Sequence, residues 1–199
     1  MMKSIARLMS ISWQIPDYST LSRRAAGLKI PLAQVQTGFH LVIDSTGLKV
    51  YGEGEWKVRI HGWNKHRTWR KLHLGINRET QEIVMELLTP HTIDDAQAAL
   101  TLMHADKTTI SSFTGDGGYD KSKLRKLLHK DNITAIIPPQ YNALISDGSK
   151  EEIKSRDDDI RRIKEVGRTQ WKQEIAYHKR SRVEVAMFRY KTIIGNKLK

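Results

Sequence analysis

The 199-residue sequence contains no cysteine, which excludes disulfides and thiolate metal sites. It is compatible with a reducing cytoplasm. No stretch approaches the ~20 apolar residues of a membrane-spanning helix, so no membrane span is expected. The opening MMKSIARLMSISWQIPDYS begins basic, but it has only a broken apolar stretch and no small-residue cleavage pattern. It does not read as a secretory signal. Internal repeats and low-complexity tracts are also missing. Negative charge is scarce: 22 Asp and Glu stand against 34 Lys and Arg, a net charge of +12 with pI near 9.9. That imbalance favours a polyanionic partner, nucleic acid first and an anionic membrane surface second.

What remains is enough for one ordinary domain, since 39% of the residues are apolar. Residues 2–12 have a short amphipathic helical pattern ended by Pro16, and DYSTLSRRAAGL reads as a second helix with a Ser/Thr start and a Gly27 stop. This pair fits either simple packing or part of a helix-turn-helix. FHLVI predicts a strand over Phe39–Ile43 that ends on Asp44 and a Ser-Thr-Gly turn. TWRKLHLGINRETQEIVMELL predicts a hairpin that turns near Asn77–Thr80. TPHTIDDAQAALTLMHA is a helix opening on a Thr cap, with Asp94 and Asp95 at its start, where negative charge is favourable and where capping is their expected role. A strand then runs into GDGGYD, Asp120 starts the next helix SKLRKLLHKDN, and ITAIIPP is a strand stopped by Pro138 and Pro139. Three antiparallel strands followed by αβαβ predict an α/β fold, a mixed sheet with helices on its faces. A charged insertion around 140–170 precedes the last helix. There Asp157, Asp158 and Asp159 are expected to cap or to face solvent.

Chemistry is sought where acids meet small residues at strand ends, because binding crevices of open sheets lie there. Asp44 and Asp116 qualify, although either acid alone equally suits a turn cap. The last helix, YHKRSRVEVAMFRYK, sets one acid, Glu184, among five Lys and Arg. At about 100° per residue, Tyr177, Arg180, Glu184 and Lys191 share a stripe roughly 60° wide. Val183, Ala186, Met187, Tyr190 and Ile194 cover the adjoining core-facing arc. Spacing alone also accommodates an ordinary amphipathic helix in which Arg180 and Glu184 form an i,i+4 ion pair. A hard divalent cation, Mg²⁺ or Mn²⁺, would join the three carboxylates, because such ions take oxygen ligands. Paired ions of this kind serve phosphodiester chemistry.

WKVRIHGWNKHRTWRKLH carries six Lys and Arg, three of the five Trp and no acid. Its cations, Lys65, Arg67 and Arg70 among them, suit a DNA backbone, whereas Trp56 and Trp69 suit a hairpin core. His61, His66 and His73 lack compact zinc-ligand spacing.

The blocks VIDSTGLKVYGEGEW, GDGGYD and Y-x2-R-x3-E-x6-K, together with HGWNKHRTWRKLHL, resemble the DDE transposases of bacterial insertion sequences. The resemblance runs from about Pro16 to Lys191. It implies a ribonuclease-H-like catalytic domain over 37–199, preceded by a short helical segment over 1–36 that could be the remnant of a DNA-binding domain. It also implies that Asp44, Asp116 and Glu184 are catalytic metal ligands for Mg²⁺ or Mn²⁺. Arg180 and Lys191 would then contact DNA near the element end, with Tyr177 positioning the strand. Expected partners are element-end DNA, target DNA and a second copy in a dimer on DNA, in the cytoplasm of a bacterium at its nucleoid. The implied reaction is hydrolytic cleavage at the element end followed by 3′-hydroxyl attack on target DNA. Family members usually run longer at both ends, so a truncated copy that transposes poorly is expected. A non-catalytic DNA-binding remnant and a ribonuclease-H-like nuclease of repair or recombination are the alternatives.

Overall fold

A computed structural model of the chain describes residues 8–10, 12, 17–26, 38–50, 69–105, 110–146 and 151–198. It divides into two compact units, Met1–Pro31 and Leu32–Lys199. In the first, α1 spans Tyr18–Ala26, and the Asp17 carbonyl accepts the Thr20 amide at 3.0 Å. The pattern at residues 2–12 and the stop at Gly27 fall largely outside the described residues.

The second unit is built on strand β1, Phe39–Val50. Its hydrophobic opening suits a strand buried on both faces, and Leu41, Val42 and Ile43 are fully buried. It pairs antiparallel with β2 (Trp69–Asn77), which pairs antiparallel with β3 (Ile83–Pro90). On its other edge β1 pairs parallel with β4 (Ile110–Thr114), and β4 pairs with β5 (Thr134–Ile136). The sheet order is therefore β3-β2-β1-β4-β5. A short β6, Lys197–Leu198, meets β1 again at Lys49 and Val50. This is the expected α/β mixed sheet with flanking helices, in agreement with a ribonuclease-H-like fold.

Side chains alternate across each strand, so the sheet has two cores. Leu41, Ile43 and Phe113 pack with Ala96, Ala99 and Leu102 of α2 (Asp95–Ala105) and with Leu124 and Leu128 of α3 (Ser122–Lys130). Val42, Leu48, Leu72, Leu74 and Ile76 pack on the opposite side against Val183, Ala186 and Met187 of the last helix. The predicted hairpin is present, turning through Arg78–Glu82. Asp94 caps α2 as expected, its Oδ1 accepting the Ala96 amide at 3.0 Å.

Two expectations about acids are corrected here. Asp120 does not start α3, whose N-cap is Lys121. Its buried carboxylate instead accepts from Arg125 at 3.0 Å, from Arg156 and from the Gln140 amide. Asp157 is neither a cap nor exposed: it is 2% accessible and accepts the Ser146 amide at 3.1 Å. Asp159 accepts Trp171 Nε1 at 3.2 Å, and only Asp158 of the three is solvated. The charged segment folds into α4 (Glu151–Val166) and α5 (Arg168–Glu174), and these acids fasten α4 to α3 and α5. Balanced charge here is partly internal because each buried acid has a donor at hand.

Arg125 is 2% accessible, and its guanidinium also donates to the Ile137 carbonyl at 2.8 Å. Arg125→Leu should therefore destabilise the fold by about 3 kcal/mol in urea denaturation, since it strips a buried carboxylate of its principal partner. Burial raises the Asp159 carboxyl to about 6. A raised acid favours folding below its unfolded value and loses that contribution as pH climbs through about 6. Asp159→Asn, which cannot ionise, should gain stability relative to the native protein as pH rises from about 4 to about 7. Paired denaturation curves would show it.

Candidate functional site

Strand β1 does not stop at Ile43. It continues through Asp44, Ser45, Thr46 and Gly47 because β2 keeps pairing with it, with Asp44 opposite Leu74 and Lys49 opposite Trp69. What ends near Asp44 is the neighbouring strand: the β1–β4 register closes at Val42 and Thr114. Asp44 and Asp116 each lie two residues beyond that pair, on adjacent parallel chains. The period of two puts Asp44 on the Val42 side of the sheet, the side covered by the last helix.

Asp116 continues β4 in extended conformation, with φ −80° and ψ −179°, and caps a short 3-10 turn, Gly117–Tyr119. Its Oδ1 accepts the Gly118 amide at 2.8 Å. Gly115 is required here, because a Cβ would come within 2.8 Å of the Tyr119 ring. Tyr119 is buried and edge-on to Phe113, with ring centroids 5.9 Å apart. The turn carrying Asp116 is thus fixed to the core by an aromatic pair.

The last helix also departs from the simple pattern. Ala176 adopts a left-handed backbone, φ 53°. After it the chain makes a 3-10 turn, Tyr177–Arg180, before α6 begins at Ser181 and runs to Ile193. Val183, Ala186 and Met187 face the core as predicted, and Tyr190 packs beside them. Ile194 lies past the helix end and is 68% exposed.

Arg180 joins the pieces. Its Nη1 donates to Asp44 Oδ2 at 2.8 Å, and its Nη2 donates to Glu184 Oε1. The i,i+4 pair expected from spacing is present, and it extends across 136 residues of sequence to the sheet acid. Asp44 Oδ1 meanwhile accepts the Ser45 amide at 2.8 Å. Burial raises the Asp44 carboxyl above its ordinary value, and the Asp116 charge raises it further; the Ser45 amide and Arg180 pull it down. Burial opposes the charge of Arg180, but Tyr177, Asp44 and Glu184 together hold its guanidinium above the usual value. Burial likewise raises the Tyr177 phenol, and all three acids add to the shift. Five groups from three segments, Asp44, Asp116 and the stretch holding Tyr177, Arg180 and Glu184, thus share one electrostatic environment.

The remaining site residues are more scattered. The Tyr177 ring receives Lys172 Nζ at 5.2 Å from its centroid. Lys191 is half-buried on α6, and Arg70 is half-buried in β2 opposite Leu48. Lys65, Arg67, Trp56, His61 and His66 lie outside the described residues. His73 is fully buried, with Nε2 bonded to Thr89 Oγ1 at 2.9 Å. The tie between Arg180 and Asp44 had no local sequence signal, because i,i+4 spacing reports only the partner on the same helix.

The donor set fits a hard cation in kind, since Asp44, Asp116 and Glu184 offer only carboxylate oxygen. Among the described residues, no three His, Asp or Glu side chains are gathered closely enough to hold an ion. The Arg180 guanidinium bonds one oxygen of Asp44 and one of Glu184. No helix among the described residues is long and apolar enough to cross a membrane. A family model described as Transposase DDE domain matches residues 38–195, and a second model with the same description matches residues 1–53. The first match takes in strands β1 to β5, with Asp44 on β1, the turn that carries Asp116 and the whole of the last helix, and by it the chain belongs to the Transposase DDE domain family.

Proposed function

We propose that this chain cuts DNA at the ends of an insertion sequence and joins the freed 3′-hydroxyl to target DNA, with Asp44, Asp116 and Glu184 as its catalytic carboxylates. The observation that carries the reading is the Arg180 guanidinium, which draws a sheet acid and a helix acid to one place. An isolated helical ion pair would have no reason to reach β1.

Asp44, Asp116 and Glu184 would hold Mg²⁺ or Mn²⁺, which when bound would activate an attacking oxygen and stabilise a leaving one. The protein's own contribution is positional. The Gly118 amide holds one oxygen of Asp116, so the other keeps a defined direction. For Asp44 the Ser45 amide holds one oxygen and Arg180 the other. Lys191, Arg70, Lys65 and Arg67 supply positive charge for the phosphate backbone, and Tyr177 helps seat the strand. Arg180 neutralises two carboxylates that would otherwise repel a polyanion. Pairing of two element ends calls for two copies of the chain on DNA, at the nucleoid of a bacterial cytoplasm.

The test uses a duplex carrying the terminal inverted repeat of the element. Mg²⁺-dependent nicking at the repeat boundary should fall about a thousandfold in Asp116→Asn, since a metal-held carboxylate is worth several kcal/mol in such chemistry. Binding measured by gel shift should stay within about twofold, because phosphate contacts rather than Asp116 carry it. Salt-sensitive binding with no cleavage in Mg²⁺ or Mn²⁺ would identify a DNA-binding remnant instead. Cleavage indifferent to the repeat would identify a general nuclease.

A further inference from the structure

Helix α6 carries an apolar group that neither core uses. Phe188 is 70% exposed and its neighbour Val185 is 42% exposed, while Val183, Ala186 and Met187 of the same helix are buried. At about 100° and 1.5 Å per residue, Phe188 stands roughly 40° round the helix from Glu184 and about 6 Å further along it. Lys191 follows three residues later. The ring therefore borders the acidic site on its open side, turned away from the sheet.

We propose that Phe188, supported by Val185, is a base-stacking residue: it receives an unpaired nucleobase beside the phosphate that the acidic site handles. The inference rests on the function proposed above and adds a contact to it. Three observations select this occupant. One phenylalanine and one valine form a patch far smaller than the ~800 Å² that each partner commits to a specific protein interface. The stretch from Tyr177 to Lys191 holds five Lys and Arg and a single acid, which repels a basic second copy of the chain and attracts a polyanion. A flat aromatic ring set among cations is also the combination that holds single-stranded nucleic acid, because every base presents a face for stacking.

Phe188 belongs to neither core, its side chain is largely exposed, and its carbonyl accepts Thr192 Oγ1 at 2.8 Å. Variants should therefore keep the native melting temperature. Two variants, Phe188→Ala and Phe188→Trp, would be compared with the native chain in Ca²⁺, where binding is read without cleavage. The probes are a blunt duplex and the same duplex with a short single-stranded 3′ overhang carrying 2-aminopurine.

The native chain should prefer the overhang and quench its fluorescence. Phe188→Ala should lose about tenfold in overhang affinity, with blunt-duplex affinity nearly unchanged, and Phe188→Trp should restore both signals. Equal loss on the two probes, or no loss on either, would overturn the proposal. A change in sedimentation with overhang binding intact would do so as well, by making the patch a protein contact. Native cleavage without any overhang preference overturns this inference alone. A Phe188-dependent preference without cleavage in Mg²⁺ overturns the catalytic reading and leaves the stacking surface in place.

Discussion

Strand β1 is the constraint on which the other elements depend. It is hydrogen-bonded along both edges and covered on both faces, so its register fixes the position of each neighbour. A slip of one residue would exchange Val42 for Ile43 and turn Asp44 from the α6 side to the α2 side. The fully buried Leu41, Val42 and Ile43 make such a slip costly, because each side chain already fills a packed position. The acid is thus held in place by its hydrophobic neighbours.

The same dependence runs through the aspartate turn and the last helix. Asp116 is directed by Gly118 and by the Tyr119–Phe113 pair, and Phe113 is itself paired to Leu41. Helix α6 is seated by Val183, Ala186 and Met187 on Leu72, Leu74 and Ile76 of β2 and on β1. Glu184 lies at the edge of that contact. The buried ion network of Asp120, Arg125, Arg156 and Asp159 serves a different region, where it fixes α4 to the body of the fold. Charged residues therefore do structural work on one side of the molecule and frame the carboxylates on the other.

The element order was legible in the sequence because hydrophobic periodicity and Gly/Pro punctuation are local signals. The hairpin, α2, α3 and the inward side chains of α6 all follow from them. The extent of β1 was not, since the Ser-Thr-Gly segment has turn chemistry and is kept extended by its antiparallel partner β2. The 3-10 turn at Tyr177 was also hidden, because nothing in the residue type of Ala176 announces a positive φ. Asp157 and Asp159 looked solvated because charge patterning cannot distinguish a water-facing carboxylate from one that meets Ser146 or Trp171. The candidate site was legible as three residue numbers and a motif resemblance. The bridge from Arg180 to Asp44 joins positions 136 residues apart, a separation that no local pattern reports.

One edge of β1 is shared unequally by two partners. Strand β4 pairs with it as far as Val42, and β6 rejoins it only at Lys49. Between these points, among the described strands, that edge has no neighbour, and Asp44 lies within the interval. The sheet is therefore notched where its central acid emerges. Along this interval, among the described strands, β1 is held in the sheet by β2 alone, so the antiparallel register with Leu74 sets where Asp44 stands.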